Sequence, residues 1–124
     1  MAANNKGSAP IDLFSVDKVP GGTIAEGAVV KLSDFNTVAA AGAADKGLFG
    51  IAKSSATTSD PYVACQLEGV AMVLLAATEA VVVNSQLITV GTAGHVKAWT
   101  NETDVDKIGL AMRAQTAGAA AELI

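Results

Sequence analysis

Short β-prone runs separated by turn signals recur along most of this chain of 124 residues. Valine, isoleucine, leucine and aromatic residues dominate the runs, whereas glycine, proline, aspartate, asparagine and serine dominate the segments between them. This spacing is typical of an antiparallel sandwich or a small barrel. The sequence therefore predicts an all-β, mainly antiparallel fold with strands at 29–32, 48–52, 62–67, 70–75, 87–90, 96–99, 108–112 and 119–124.

The segment 70–83 is ambiguous because its alanine content would also tolerate a helix. The run Val81–Val83 is β-branched and therefore stiff at χ1, which favours a strand. We predict a turn near Ala77 and Thr78 and a further strand that starts near Val81.

An internal repeat organises these runs. When the sequence is laid on itself so that Gly50 coincides with Gly109, the segment 49–52 falls on the segment 108–111. We expect both glycines to lie where another backbone passes close by, or at a bulge. The fold is therefore predicted to be a pseudo-duplicated β-domain. The same constant shift pairs Ile24 with Val83, Val29 with Ile88, Ala39 with Ala98, Asp45 with Asp104 and Thr57 with Thr116.

The first twenty residues differ in character from the rest. Residues 1–10 are mostly small and polar, which indicates a flexible tail, whereas residues 11–20 carry spaced apolar side chains before Pro20. Such a segment is either an edge strand or an extended arm that docks on a neighbour. We therefore divide the chain into a tail and arm, residues 1–20, and a single β-rich domain, residues 21–124. The apolar side chains of the arm are those of Ile11, Leu13, Phe14 and Val16.

Composition argues against several functional classes. The formal net charge is −4 without any Lys/Arg-rich run, so the electrostatic footprint of a nucleic-acid binder is missing. The apolar run 70–77 is far shorter than the ~20 residues that cross a bilayer, and the first residues do not resemble a secretion signal. Apolar residues are abundant but aromatic ones are scarce, which suggests that a partner completes part of the apolar surface.

Residues that could carry chemistry have simpler structural explanations. Cys65 has apolar neighbours, which predicts a buried small side chain, and a single cysteine cannot form an internal disulfide. His95 is the only histidine, and it sits in a turn. The acidic segment 102–106 lacks the loop pattern of a calcium site and is interpreted as an exposed turn. Trp99 is interpreted as a core or subunit-interface anchor. We therefore predict no enzymatic activity, no cofactor and no metal site.

Four segments, taken in order, resemble the capsid cement (head decoration) family of tailed phages, whose fold is a β-tulip. They are Thr23–Val30, Gly47–Ala52, Leu67–Ala71 and Lys107–Ala111. The resemblance implies a protein that binds the outer surface of an assembled phage head and bridges neighbouring major capsid protein subunits, often as a homotrimer. It also implies assembly in the host cytoplasm and a final location on the exterior of the virion.

For such a protein, the expected capsid or subunit interface consists of Ile11, Leu13, Phe14, Val16 and Trp99, with the arm adding a strand to a neighbour's edge. Two alternatives remain open. One is another phage structural adaptor, and the other is a small ligand- or carbohydrate-binding β-sandwich, which would require an aromatic-lined pocket.

Overall fold

The computed structural model describes residues 10–118 and the short strand Glu122–Leu123. Within these residues every regular element is a strand, so the all-β expectation is confirmed. The strands are β1 (Ile11–Pro20), β2 (Val29–Asp34), β3 (Thr37–Ala40), β4 (Leu48–Ala52), β5 (Val63–Val70), β6 (Leu74–Leu75), β7 (Gln86–Val90), β8 (His95–Ala98), β9 (Gly109–Leu110) and β10 (Glu122–Leu123).

The first five strands close into a barrel with the order β1-β3-β2-β4-β5, in which β5 also pairs with β1. All neighbours are antiparallel except β1 and β3, which run parallel over Val19 and Pro20. Small side chains fill the interior, as expected for a chain with few aromatic residues. The buried members of this core are Ile24, Ala28, Val30, Val38, Ala52, Ala56, Val63 and Cys65.

The remaining strands form a second sheet with the order β10-β6-β8-β7-β9. Its core also includes residues of the barrel: Val29 on β2 and Ala41 after β3 are buried together with Leu75, Leu87 and Val96. Adjacent residues on a strand point to opposite faces. Val30 therefore fills the barrel while Val29 packs against the second sheet, and the start of β2 is buried on both faces.

The turn between β7 and β8 connects the two sheets through hydrogen bonds. The amide of Val29 donates to the carbonyl oxygen of Gly94 at 2.9 Å, and the amide of Gly94 donates to that of Ala41 at 3.0 Å. Gly94 has φ +73, and a Cβ atom placed on it would lie 2.4 Å from the Val29 carbonyl oxygen. Only glycine fits this contact.

The duplication is visible in the strand pairing. In the barrel, Val30 pairs with Gly50 on β4, and in the second sheet Leu87 pairs with Gly109 on β9. Isolated bridges repeat the pattern, because Ile24 pairs with Ala56 and Val81 pairs with Gln115. Each half is thus a hairpin followed by a third strand that returns beside the first.

The constant shift that aligns Gly50 with Gly109 does not correctly match the residues at the beginning of the two halves. The strand pairing matches Gly50 with Gly109 but Ile24 with Val81, rather than with the expected Val83. The second copy has a longer hairpin turn: residues 91–94 separate the paired Val90 and His95, whereas residues 35–36 separate Asp34 and Thr37. The expected pairs Ile24 with Val83 and Val29 with Ile88 are therefore displaced by two positions.

The structure also corrects the expected arm. Residues 11–20 form β1, and seven of them pair with β5, from Ile11 with Val70 to Lys18 with Val63. This segment belongs to the barrel because its backbone groups are bonded there, so the boundary at residue 20 does not separate an arm from a domain. The segment is a strand, but it is not the expected edge strand, because β1 pairs with β5 on one side and with β3 on the other. Residues 1–9 of the expected tail lie outside the described residues.

Two other segments differ from expectation. The sequence does not predict β3, because Thr37–Ala40 is short and rich in alanine, and its pairing with β2 makes it a strand. The strand expected over 70–75 is divided, since β5 ends at Val70 and β6 covers only Leu74–Leu75. Thr78 has φ 65, in agreement with the turn expected there, and Val81 forms an isolated bridge.

Candidate docking surfaces

Three large apolar side chains are exposed near the start of β1. The exposed fractions are 53% for Ile11, 69% for Leu13 and 52% for Phe14, and we call these three residues the β1 surface. Register shifts relative to β5 occur on both sides of Phe14. Such bulges disturb the normal alternation of faces, and here two consecutive apolar residues, Leu13 and Phe14, both reach the solvent. Val16, the fourth expected member, is half-buried.

Polar contacts hold the start of β1, which carries the β1 surface. The side-chain amide of Gln66, itself only 6% exposed, lies 3.0 Å from the carbonyl oxygen of Ile11. Asp12 accepts hydrogen bonds from Lys53 and Ser15, and these bonds lower the pKa of its carboxyl group. A Cβ atom on Gly69 would lie 1.9 Å from the Ile11 carbonyl oxygen, so the end of β5 lies in close contact with the start of β1, its antiparallel neighbour. The surface therefore belongs to a fixed wall of the barrel.

Trp99 lies elsewhere, just after β8 in the second sheet. Its indole N–H donates to the carbonyl oxygen of Glu102 at 2.7 Å, and the Nζ atom of Lys107 lies 4.4 Å from the ring centroid. The Glu102 carboxylate accepts a 2.8 Å contact from Lys97, which lowers the pKa of that carboxyl group and raises the pKa of the lysine. The ring is half-buried against a loop of its own chain. The structure does not join it to the β1 surface, because the two sets lie on different sheets.

An apolar groove of about 160 Å³, which sequence reasoning missed, opens beside β9. Pro10 and Val70 line it on the barrel side, and Gly109, Leu110 and Arg113 line it on the other. Among the described residues that line it, none is aromatic, which does not match the pocket that the carbohydrate-binding alternative requires.

Two features characterise the lining of the groove. Leu110 is 58% exposed and Met112 60% exposed, so the groove has an apolar rim. The Nη1 atom of Arg113 is buried and has no hydrogen-bond partner within the described part of the chain. Leaving a buried donor unpaired costs about 1–3 kcal/mol, but this atom is already shielded from solvent, so a ligand in the groove does not reach it.

The acidic residues near 102–106 have structural roles. Asp104 forms a 2.9 Å ion pair with Lys46, and Asp106 accepts the backbone N–H groups of Gly47 and Leu48. They thereby connect the loop before β9 to the loop before β4. No group of three or more potential metal ligands occurs among the described residues.

Two other sequence candidates are accounted for by their surroundings. Cys65 is buried in the barrel core, and burial raises the pKa of its thiol to about 11. His95 is half-buried at the start of β8 and pairs with Val90 through its backbone.

Comparison with protein-family models gives no match for this chain, and comparison with curated proteins gives none either. In the part of the chain that the structure describes, no helix has the length and apolar character needed to cross a membrane.

Proposed function

We propose that this protein is a capsid decoration protein that binds the outer surface of a tailed-phage head and acts without catalysis. The observation that carries the proposal is the β1 surface: three large apolar side chains exposed on a strand that is fixed in a closed barrel. Exposed apolar groups gathered on a rigid wall are typical of a protein-binding surface. The order of the four sequence segments that resemble the cement family supports the same interpretation.

In this proposal the partner is the major capsid protein, and the decoration protein bridges neighbouring subunits as a homotrimer on the exterior of the virion. Individual contacts can be weak, because many copies on a regular lattice together resist expansion of the shell. The scaffold suits such a load, since the start of β2 is buried on both faces and connects the barrel to the second sheet. Neither a cofactor nor nucleic acid is needed.

The test is to mix the purified protein with expanded, DNA-free heads and to measure bound copies by cosedimentation and electron microscopy. We expect ordered density on the outside of the shell. Leu13→Asp should reduce occupancy at least tenfold, because it places a charge in an apolar contact. Phe35→Asp is the matched control, since Phe35 is 86% exposed but lies in the β2–β3 turn, outside the β1 surface. Heads without added density, or equal losses from both variants, would reject the proposal.

Deleting residues 1–20 is not a usable test, because it removes the strand that closes the barrel against β5. A deletion of residues 1–9 leaves β1 intact. Comparing that deletion with Leu13→Asp separates a contribution of the first residues from that of the β1 surface.

A further inference from the structure

Two bulges lie side by side where the start of β1 pairs with the end of β5. Leu13 is an extra residue on β1, and Leu67 is an extra residue on β5. Between them, Phe14 pairs with Glu68. We call these four residues the paired bulge. Because each strand has one extra residue, the register of the ladder is the same before and after the paired bulge. A regular ladder could therefore form here without a shift elsewhere in either strand.

A side-chain hydrogen bond on β1 shows what the paired bulge does to the direction of side chains. Residues three apart on a regular strand point to opposite faces. The Ser15 hydroxyl nevertheless donates to the Asp12 carboxylate at 2.7 Å, so the bulge places both on one face. In a regular ladder the neighbours Leu13 and Phe14 would likewise point to opposite faces. Exposure of both apolar side chains therefore depends on the paired bulge.

The side-chain amide of Gln66 donates hydrogen bonds to the backbone around the paired bulge. Its Nε2 atom lies 3.0 Å from the carbonyl oxygen of Ile11, 3.0 Å from that of Glu68 and 3.3 Å from that of Val70. Carbonyl oxygens only accept hydrogen bonds, so three of them around one atom identify that atom as the amide donor. A Cβ atom on Gly69 would lie 2.9 Å from the same nitrogen, and only glycine leaves room for it.

The second bulge residue explains one of the two repeat glycines. A Cβ atom on Gly50 would lie 2.8 Å from the Cδ2 atom of Leu67 and 2.8 Å from the carbonyl oxygen of Gln66. The expectation of a close backbone or a bulge is thus confirmed at Gly50. At Gly109 it is not, because a Cβ atom there would meet nothing within 4 Å among the described residues.

We propose that Gln66 is a positioning residue of the β1 surface, because its amide holds the paired bulge in the form that exposes both Leu13 and Phe14. That the β1 surface binds the capsid rests on the function proposed above. Gln66 is itself buried, so it acts on the partner only through β1. Without its amide, the carbonyl oxygens around it lose their donor and the regular ladder becomes the better-bonded form. One of the two apolar side chains then turns away from the partner.

The first experiment measures backbone hydrogen exchange in the full chain by NMR, without any partner. Gln66→Met keeps a side chain of similar length but has no donor, and Gln66→Glu has a carboxylate that only accepts. We expect the amides of residues 12–16 to exchange about tenfold faster or more in both variants, relative to the amides of β2 and β7. Val63→Ala is the matched control, since Val63 is buried on the same strand and pairs with Lys18, outside the paired bulge. It should weaken the core without this local effect.

The second experiment measures occupancy of the same variants on heads, at a temperature where circular dichroism shows that each is folded. We expect the two Gln66 variants to lose about tenfold or more in occupancy, because the side chains that bind are no longer held in position. Val63→Ala should bind as the wild-type chain does. Unchanged exchange or wild-type occupancy in both Gln66 variants would overturn the inference, as would an equal loss in Val63→Ala. Failure of both Gln66 variants to fold would also overturn it, because the inference requires a folded barrel with a regular ladder.

The two proposals can fail separately. If the wild-type chain does not bind heads, the proposed function fails, while the exchange measurement still shows whether Gln66 holds the paired bulge. If the wild-type chain binds heads and both Gln66 variants bind them equally well, the function stands and the inference about Gln66 fails.

Discussion

Substituting alanine at each repeat glycine gives a direct test of how the two halves differ. At Gly50 the new methyl group would lie 2.8 Å from a backbone oxygen of β5. That oxygen cannot move aside alone, because Gln66 pairs with β4 and with β1. Overpacking of this kind costs about 1–3 kcal/mol. At Gly109 the methyl group would meet nothing within 4 Å.

The unfolded chain contributes to both variants. Replacing glycine by alanine where the native backbone allows it stabilises a protein by about 0.4–1 kcal/mol, because the unfolded chain loses conformational freedom. Neither glycine has the positive φ that would oppose alanine. We therefore expect Gly50→Ala to lower the free energy of unfolding by about 1–2 kcal/mol after this gain is subtracted from the overpacking cost. Gly109→Ala should raise it by up to about 1 kcal/mol.

The assay is urea denaturation followed by circular dichroism and by Trp99 fluorescence, with the midpoints compared at a common slope. Repeating it at two protein concentrations excludes a contribution from association, which would make the midpoint concentration-dependent. Ordinary surface substitutions change the free energy of unfolding by less than about 0.5 kcal/mol. If the free energies of unfolding of the two variants differ by less than this, the claim that β5 makes the surroundings of the two glycines different is refuted.

Three further predictions concern single side chains. Asn84 has φ 72, and the equivalent residue of the first copy is Gly27 with φ 84. In thermal unfolding, Asn84→Gly should keep the stability of the wild-type chain, whereas Asn84→Ala should lose about 1 kcal/mol. Equal stability of the two variants would contradict the left-handed turn. Burial raises the pKa of the Cys65 thiol to about 11, so this thiol should react with a thiol reagent at pH 8 only when the chain unfolds. Rapid labelling of the native chain would contradict this. The hydrogen bond from Lys31 lowers the pKa of Asp45 from 3.8 to about 2, so its stabilising contribution is complete above pH 4 and is lost as pH falls towards 2. Asp45→Asn should remove this acid-dependent component from a series of unfolding measurements, and an unchanged pH profile would count against the ion pair.

The strands that could be predicted from sequence are those whose residues have strong β propensity. Leu48–Ala52 and Gln86–Val90 have β-branched or large apolar residues between turn signals, and the structure has them within one residue of expectation. β3 lacks such residues, and hydrogen bonding to β2 decides its conformation. Local propensity could not reveal it, because the partner strand provides the stabilisation.

The groove could not be predicted for a similar reason. The internal repeat aligns Gly109 with Gly50, but the sequence does not reveal that β5 covers only one of them. The sequence does not single out Arg113 either, because an isolated arginine gives no signal until the fold buries one of its nitrogen atoms. The β1 surface could be predicted as an apolar set, whereas its inclusion in the barrel depends on pairing with β5, which is distant along the chain.

Comparison of equivalent outer positions in the two halves shows why Leu110 requires an explanation. In the barrel, the outer residues of β2 and β4 pack against the second sheet, and these are Val29, Leu48 and Ile51. The equivalent residues of the second sheet are Gln86, Lys107 and Leu110, all of them exposed. Two of these positions have polar residues, which are typical of a solvent-exposed face. The third position instead has a large exposed apolar residue, beside Gly109, where a Cβ atom would meet nothing within 4 Å among the described residues. At these three equivalent positions, the second half therefore departs from the composition of a solvent-exposed face only at Leu110.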